Sequence, residues 1–327
     1  MINLSTEYMG MKLRNPLIVA SSGLTDSVEG VRRCEDAGAG AVVLKSLFEE
    51  QIQIETKKLE QHIGPSWHAE AFDYVKQMGM RLGPNNYLKF IEETKKTVTI
   101  PVIASLNCIS PVWWSDYAKQ IEAAGADAIE LNISFMPSNP QHSGKDIEQQ
   151  YLHSIDKIRN RIKKPIAVKI GPYFTSTAQM AEQLYAHGAS ALVLFNRFYQ
   201  FNINIDTLEL SPGHSLSTPE EIHTSLRWVA LLSGRIKCDL AAATGIHDAS
   251  GVIKQILAGA TVVQICSTLY KNGLEQIDKI LEEIKDWMKT KYFDSIHNFR
   301  GKLNQMQSDQ PELYERLQYI KGLTGIE

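Results

Sequence analysis

The sequence predicts an α/β fold, a (β/α)8 TIM barrel, because a glycine turn followed by a short apolar run recurs along the chain. A second class of apolar run, often led by proline, alternates with the first. Together the two classes give roughly eight strands separated by helical segments, the number a closed parallel barrel requires. The chain of 327 residues suits one such unit. We therefore predict a single domain over residues 1–327.

The glycine-led runs mark the junctions at which a helix ends and a buried strand begins, because glycine readily adopts the left-handed cap conformation. They are Gly38–Leu44, Gly125–Leu131, Gly188–Leu194 and Gly259–Ile265. The second class comprises Asn15–Ala20, Ile100–Ser105, Lys164–Lys169 and Cys238–Ala243. A doubly wound sheet is the competing fold, but it usually has a glycine-rich dinucleotide turn after its first strand. Ser21–Gly23 does not match that turn.

Two regions depart from the regular alternation. The segment from Phe48 to Asn86 is rich in Gln, Glu, Lys and His and lacks a clear strand. Because it is long for a loop between strand and helix, it predicts an active-site insertion after strand 2. From Gly273 the chain predicts the last barrel helix, Leu274–Lys289, followed by a short polar extension.

Composition excludes several classes of function. The chain is 43% hydrophobic and 22% charged with a net charge of −3, so no global basicity indicates nucleic acid. No apolar stretch is long enough to span a bilayer and no signal segment opens the chain, so we expect a cytoplasmic protein without a membrane partner. The 4 cysteines lack C-x-x-C spacing, which argues against a metal or iron–sulfur site. If the protein transfers electrons, an organic cofactor would therefore have to carry them.

In a barrel, ligand groups come from the carboxyl ends of the strands. Lys45 and Lys169 end two of the predicted strands, and a lysine so close to a core is costly unless it is paired or solvated. Two lysines at one mouth indicate a function rather than two snorkelling side chains. Asn132 and Asn196 end two further strands, where their amides suit the edge of a heterocycle.

Two motifs after the last two strands predict a phosphate site. Thr244-Gly245 and Cys266-Ser267 fall where barrels commonly hold a phosphate on backbone N–H groups and a short helix. The alternative is ordinary helix capping by Thr and Ser. We predict a small-molecule substrate as the partner of this mouth.

The ordered set of motifs from about Leu4 to Phe299 resembles the dihydroorotate dehydrogenase family, above all its soluble, fumarate-linked branch. The matching motifs are Asn15-Pro16 with Ala20–Gly23, Leu44–Ser46, Glu130–Ser134, Val168–Phe174, and Gly259–Thr261 with Gln264–Ile265. The resemblance implies an FMN-dependent oxidoreductase that converts dihydroorotate to orotate in pyrimidine biosynthesis. It also implies a homodimer. Fumarate as the electron acceptor is implied only by the similarity to the fumarate-linked branch.

By this resemblance, FMN is held by residues at the ends of several strands. Its isoalloxazine and ribityl parts would contact Ala20, Ser21, Gly23, Lys45, Ser46, Asn132 and Lys169, and its phosphate would contact Thr244, Gly245, Cys266 and Ser267. A cation near the flavin N1–C2=O edge, here Lys169, stabilises the negative charge of the reduced flavin. The substrate would contact Lys45, Asn132, Asn196 and Arg197.

The family removes a proton from the substrate with a Cys or Ser that directly follows Asn-x-Ser. Here that position is Phe135, which cannot accept a proton. An alignment slip would promote Ser134 or Ser138, so the predicted catalytic residues are Lys45 and Ser134. His142 and His68 are possible replacement acids, although loop histidines are more often only solvated.

Other departures concern the substrate face and the phosphate cradle. Gln77–Gly83 replaces the family's substrate loop, Arg197 replaces a serine, and Thr244-Gly245 replaces a glycine pair. Arg197 would be either a carboxylate clamp or the partner of an acidic loop residue. Trp113-Trp114 would either cover a ligand or fill the layer between barrel and helices.

Three functions therefore remain open at the level of sequence. The first is dihydroorotate oxidation. The second is a paralogous flavin oxidoreductase acting on another dihydropyrimidine-like compound. The third is a barrel that binds FMN or another phosphorylated ligand without turnover.

Overall fold

The computed structural model describes residues 2–48, 85–107, 111–197, 201–212 and 216–315, with the backbone alone at 111–116 and 212. The chain opens with an antiparallel pair, β1 (Thr6–Tyr8) and β2 (Met11–Leu13). The barrel strands are β3 (Leu17–Val19), β4 (Ala41–Val43), β6 (Val102–Asn107), β7 (Ala128–Asn132), β8 (Ile166–Ile170), β9 (Ala191–Leu194), β12 (Asp239–Ala243) and β13 (Val262–Ile265). A short strand, β5 (Leu47–Phe48), pairs with β6, and β10 (Phe201–Asn204) and β11 (Glu209–Pro212) form a separate hairpin.

Each barrel strand pairs in parallel with its neighbours, and β13 pairs with β3, so the sheet closes on itself. The helices are α1 (Val28–Asp36), α2 (Asn85–Thr97), α3 (Pro111–Ala123), α4 (Gly144–Arg159), α5 (Thr177–Ala186), α6 (Ile222–Leu232), α7 (Ala249–Ala258), α8 (Ser267–Asn272) and α9 (Gln276–Thr290). One helix follows each of the first seven barrel strands, and α8 and α9 follow the last. The predicted (β/α)8 barrel is confirmed.

The predicted turn glycines have positive φ, with angles of 101° at Gly38, 96° at Gly125, 98° at Gly188 and 117° at Gly259. Gly259 is also sterically constrained, because a Cβ there would lie 1.9 Å from the Oγ of Ser233. Both conditions exclude an ordinary side chain. The glycine pattern therefore locates the ends of helices and the starts of strands.

Side chains of the barrel strands alternate between the interior of the barrel and the layer beneath the helices. The interior cluster is built from small and medium residues, among them Ile18, Ala41, Val43, Ile103, Ala128, Ala167, Ala191, Val193, Ala241, Ala243 and Val262. Tyr8 and Leu13 of the β1–β2 hairpin belong to the same cluster. Their burial places the hairpin against one end of the interior, which leaves the carboxyl ends of the strands for a ligand.

Both regions that depart from the regular alternation of strands and helices contain residues outside the described ranges. Phe48 ends β5, and Asn85 begins α2, so only residues 49–84 of the predicted insertion are outside the described residues. The substrate-loop equivalent 77–83, His68 and the side chains of Trp113 and Trp114 also lie outside them. The predicted last helix is confirmed as α9. Among the described helices, none has the length and hydrophobicity needed to cross a bilayer.

Candidate active site

Alternation along the strands brings polar side chains into the barrel interior above the apolar cluster. On β7, Glu130 and Asn132 follow Ala128 at spacings of two, and Lys169 follows Ala167 on β8 in the same way. Gln264 stands in the same relation to Val262 on β13. Period-two geometry alone therefore directs these four side chains towards the interior.

Three of these side chains form a buried chain of contacts. Lys169 Nζ donates a hydrogen bond to Gln264 Oε1 over 3.1 Å, and Gln264 Nε2 donates to Glu130 Oε2. The second carboxylate oxygen of Glu130 has no hydrogen bond to any described residue, and Lys169 Nζ lies 3.8 Å from it. The Glu130 side chain is fully buried and that of Lys169 is 11% exposed. Glu130 thus offsets the charge of a lysine held at the inner end of the site.

Tyr8 lies fully buried at the base of the same interior. Burial raises the pKa of its hydroxyl well above the usual value, and the negative charges of Glu130 and Asp239 raise it further. Tyr8 therefore remains a neutral phenol, and Lys169 carries the positive charge closest to Glu130.

A second polar network joins four of the strand ends. Asn132 Nδ2 donates to Ser46 Oγ and to Ser105 Oγ, both over 3.0 Å, and the two hydroxyls lie 2.7 Å apart. Ser21 Oγ accepts the backbone N–H of Ser46 over 2.9 Å. These contacts fix the Asn132 amide with its nitrogen towards the serines, so its oxygen remains available as an acceptor.

The turn after β12 has an unusual backbone. Thr244 and Gly245 have φ of 73° and 77°, and a Cβ at position 245 would lie 2.1 Å from the Ile222 nitrogen. Only glycine fits there, which explains its presence in the predicted phosphate motif. Thr244 Oγ1 donates to the Phe195 carbonyl over 3.1 Å, which fixes this turn against the end of β9.

The start of α8 adds a hydroxyl and a cation. Ser267 Oγ accepts the Ser217 backbone N–H over 2.9 Å, and Lys271 Nζ donates to the Ser217 carbonyl over 2.8 Å. His247 Nε2 lies 3.2 Å from Ser217 Oγ. Burial, and then the positive charge of Lys271, lower the pKa of His247, so this ring is neutral near pH 7. Burial raises the pKa of Cys266.

Most of the predicted cofactor and substrate residues meet in one cavity of about 260 Å³. Its walls include the predicted residues Ala20, Ser21, Lys169, Asn196, Arg197, Thr244, Gly245, Cys266 and Ser267. Ser46 and Asn132 lie outside its walls but join it through the serine network. Sequence reasoning missed Ser217 and noted Gln264 only as part of a matching motif, because each acquires its role in the site from a partner far away in the chain.

Lys45 and Gly23 lie on the rim. The Lys45 side chain is 53% exposed, and its Nζ lies 3.7 Å from a carboxylate oxygen of Asp26. A Cβ at Gly23 would lie 2.9 Å from the Tyr270 hydroxyl, so glycine permits this close approach. The two predicted lysines thus differ, since Lys169 is enclosed and Lys45 faces solvent.

Arg197 forms an ion pair with Glu221, with 2.8 Å between Nε and Oε2. Burial alone would raise the pKa of Glu221, but hydrogen bonds from Arg197 and the Thr218 backbone outweigh it and lower the pKa. Of the two roles left open for Arg197, this geometry matches the partner of an acidic loop residue. Asn196 is positioned by its backbone N–H, which donates to the Ile170 carbonyl over 2.8 Å.

Phe135 occupies an aromatic cluster at the end of β7. Its ring centroid lies 5.1 Å from that of Tyr151 in an edge-to-face contact, and its backbone N–H donates to the Tyr151 hydroxyl over 3.4 Å. Ser134 precedes it and is half-buried, whereas Ser138 and His142 are exposed. The family's base position therefore belongs to an apolar contact. No group of three or more His, Cys, Asp or Glu side chains in the described part of the chain could hold a metal ion.

Fold and site together define a barrel with a cavity at the carboxyl ends of its strands, whose walls include the enclosed Lys169 and the Thr244-Gly245 turn. The profile of the family described as dihydroorotate dehydrogenase matches residues 3–288. The chain belongs to this family, which comprises flavin-dependent oxidoreductases.

The proteins similar to this chain include both NAD⁺-linked and fumarate-linked dihydroorotate dehydrogenases. The chain is 28% identical over 312 residues to the catalytic subunit of the NAD⁺-linked dihydroorotate dehydrogenase B of Pyrococcus furiosus, covering 92% of this chain and 98% of that protein. It is 25% identical to the fumarate-linked enzyme of Lachancea kluyveri, covering 93% and 99%. It is 24% identical to a putative fumarate-linked enzyme of Aeropyrum pernix, covering 91% and 96%. The family prediction is confirmed, and these identities do not separate the branches.

Proposed function

We propose that the protein is an FMN-dependent oxidoreductase that oxidises dihydroorotate to orotate, as its relatives are named. The observation that carries the proposal is the single cavity that has Lys169 at one place and the Thr244-Gly245 turn with Ser267 at another. A cation and a phosphate cradle in one cavity suit the two ends of a flavin nucleotide.

The residues present fit FMN. Lys169 lies 3.8 Å from the buried carboxylate of Glu130, which holds its ammonium group at the inner end of the cavity. Lys169 would face the pyrimidine edge of the flavin, while Thr244, Gly245, Cys266 and Ser267 would hold the phosphate. FMN, when bound, supplies the acceptor for the hydride that the substrate loses.

The remaining residues would bind the substrate and remove its proton. The amide oxygen of Asn132, which accepts no hydrogen bond from the described residues, and the amide of Asn196 would hydrogen-bond the substrate ring, and Lys45 would attract its carboxylate. Arg197 would contact the substrate only from its pair with Glu221. The hydroxyl of Ser134, half-buried beside Phe135, would accept the proton in place of the family's base.

A second candidate is favoured by Phe135. Its contact with Tyr151 fills the base position with an apolar group, so this chain differs from the family on the substrate side of the site, and a related dihydropyrimidine-like compound is the second candidate substrate. Oxidation of that compound would also release a proton, which Ser134 would accept. In this case the cofactor contacts would be kept, and the loops after β7 and β9 would select another substrate.

The visible spectrum of the purified protein, after FMN reconstitution if needed, tests these readings. Anaerobic dihydroorotate should bleach the flavin band, and a Ser134→Ala variant should slow this bleaching while leaving FMN binding unchanged. Bound flavin that dihydroorotate does not bleach, but another dihydropyrimidine does, would support the second candidate. Bound flavin that no donor reduces would support a binding barrel, and failure to bind FMN would refute both enzymatic readings.

We further propose a homodimer that uses the β10–β11 hairpin. Ile203 and Leu210 are cross-strand partners on one face of the ribbon and are 56% and 74% exposed, and Phe201 on the same face is 68% exposed. A lone two-stranded hairpin is marginal in water, and an exposed apolar face typically marks an interface. An Ile203→Asp/Leu210→Asp variant should lower the molar mass measured by light scattering to that of one chain.

We also propose that residues 1–327 form one domain, because Leu4 and Phe299, near its two ends, share one hydrophobic cluster. Fumarate is one candidate acceptor and NAD⁺, through a partner subunit, is the other, since relatives of both types are similar. The cytoplasmic location stays a prediction from the sequence.

A further inference from the structure

A second cavity, of about 370 Å³, lies beside the predicted flavin site at the ends of β7 and β8. Its walls are mainly aromatic and apolar, and they include Phe135, Pro137, Ile147, Tyr151, Tyr173 and Phe174. None of the residues assigned above to FMN lines it. Its volume lies in the range typical of small-molecule sites, about 300–1,000 Å³.

The aromatic walls are held in a fixed arrangement. Tyr151 is buried, and its ring makes edge-to-face contacts with Phe135 at 5.1 Å and with Phe174 at 5.2 Å. The interplanar angles are 83° and 73°, so the ring of Tyr151 is nearly perpendicular to each of the other two rings. Phe135 and Phe174 are half-buried and line the cavity beside the buried Tyr151, and such a set of crossed rings resembles the aromatic cages that bind organic cations.

One carboxylate lines the same cavity. Glu148 lies on α4 directly after Ile147 and about one turn before Tyr151, and it is half-buried and lines the cavity with both of them. Among the described residues, no lysine, arginine or histidine forms an ion pair with Glu148, and no donor forms a hydrogen bond to it. The negative charge at an aromatic wall is thus uncompensated by the described part of the protein. Charge complementarity favours a positively charged occupant.

We infer that this cavity binds a small organic cation, an ammonium group carried on an apolar body. The aromatic rings would attract the cation through their faces, Glu148 would supply the opposite charge, and Ile147 and Pro137 would cover the apolar body. An anion would be repelled by Glu148, and a neutral apolar molecule would leave the carboxylate desolvated without a partner.

The cavity adjoins the flavin site through Tyr173. This residue also lines a neighbouring cavity of about 210 Å³ whose walls include Arg197 and Thr244 of the predicted site. A ligand in the aromatic cavity would therefore lie next to the substrate face. Binding of a cation in the aromatic cavity does not require FMN, because none of the residues assigned to the cofactor lines this cavity.

Isothermal titration of the full-length protein with benzyltrimethylammonium tests the inference, with benzyl alcohol and phenylacetate as the uncharged and anionic probes. The cation should bind at least about tenfold more tightly than either, a difference of about 1.4 kcal/mol. Glu148→Gln should weaken binding of the cation about tenfold, and Phe174→Leu about fivefold. Glu182→Gln, an exposed carboxylate on α5, should leave it unchanged.

Thermal unfolding and near-ultraviolet circular dichroism would show that each variant remains folded. No binding of the cation by the folded protein would overturn the inference. Equal binding of cation and alcohol, or undiminished binding by Glu148→Gln, would also overturn it, because the cavity would then be only apolar. Binding that persists in protein saturated with FMN and is lost in Glu148→Gln would establish a second site.

Discussion

The two cavities at the mouth of the barrel differ in how they are built. The cavity proposed for FMN, called the flavin-side cavity below, is the one lined by Lys169, Gln264 and Ser267, and it takes its polar groups from alternate positions of barrel strands and from the turns that follow them. The aromatic-side cavity is assembled from loops after β7 and β8 and from α4, with Tyr151 at its centre. The two cavities therefore differ in origin, because strand geometry positions Lys169 and Gln264, whereas the packing of a loop on α4 positions Phe135.

The largest expected effect comes from the lysine on the flavin side. Lys169→Met should lower the free energy of unfolding at pH 7 by about 3 kcal/mol, because it leaves the buried carboxylate of Glu130 without its cation. The double variant Lys169→Met/Glu130→Gln should recover most of this loss. Urea denaturation measures both, and Lys45→Met, at an exposed position, should change stability by less than about 0.5 kcal/mol. A double variant as unstable as the single one would contradict the charge argument.

On the aromatic side, Tyr151→Leu should lower the free energy of unfolding by about 2 kcal/mol. The change removes a buried ring that contacts both Phe135 and Phe174 and leaves a space between them. Tyr292→Leu, at a tyrosine that is 96% exposed, serves as the matched control and should cost less than about 0.5 kcal/mol. If the two variants were equally stable, the cluster would not be a packed unit.

The ion pair between Arg197 and Glu221 should make the free energy of unfolding depend on pH in the acid range. Because the folded protein lowers the pKa of Glu221 below 4.5, this group stabilises the fold above that pH, and the contribution is lost as pH falls through the lowered value. Glu221→Gln should cost about 1 kcal/mol at pH 7 and progressively less between pH 5 and pH 3. Urea denaturation across this range measures the difference, and a difference that stayed constant with pH would count against the pair.

The smallest expected effect concerns the thiol of Cys266, which lines the flavin-side cavity. Burial raises the pKa of Cys266 above 9.0, although the Ser22 hydroxyl and Lys169 act in the opposite direction. Its alkylation by iodoacetamide at pH 8 should therefore be at least about tenfold slower in the folded than in the unfolded protein. Mass spectrometry of the peptides measures the rate. Cys238, whose pKa burial raises to about 12, should be slower still. Rapid modification of Cys266 would mean that the cavity is more open to solvent than its walls indicate.

Many of the residues that line the flavin-side cavity could be predicted from local sequence. Lys169 and Thr244-Gly245 were recognisable because a polar or small group directly follows a buried strand, and in a barrel such groups meet at one mouth. Glu130 also carried a local signal, since a charge inside an apolar run is rarely accidental. Its role was not predictable, because Gln264, the residue that connects it to Lys169, lies 134 positions away.

The sequence by itself determined the alternation of strands and helices, the glycines that separate them and the side of each strand that faces the interior. Those features depend on neighbours within a few residues along the chain. Only the tertiary structure decided that Arg197 pairs with Glu221 and that Phe135 packs on Tyr151 instead of facing a substrate as a base would. Such partners are selected by the register of the closed barrel and by the packing of loops on helices, which no local pattern encodes.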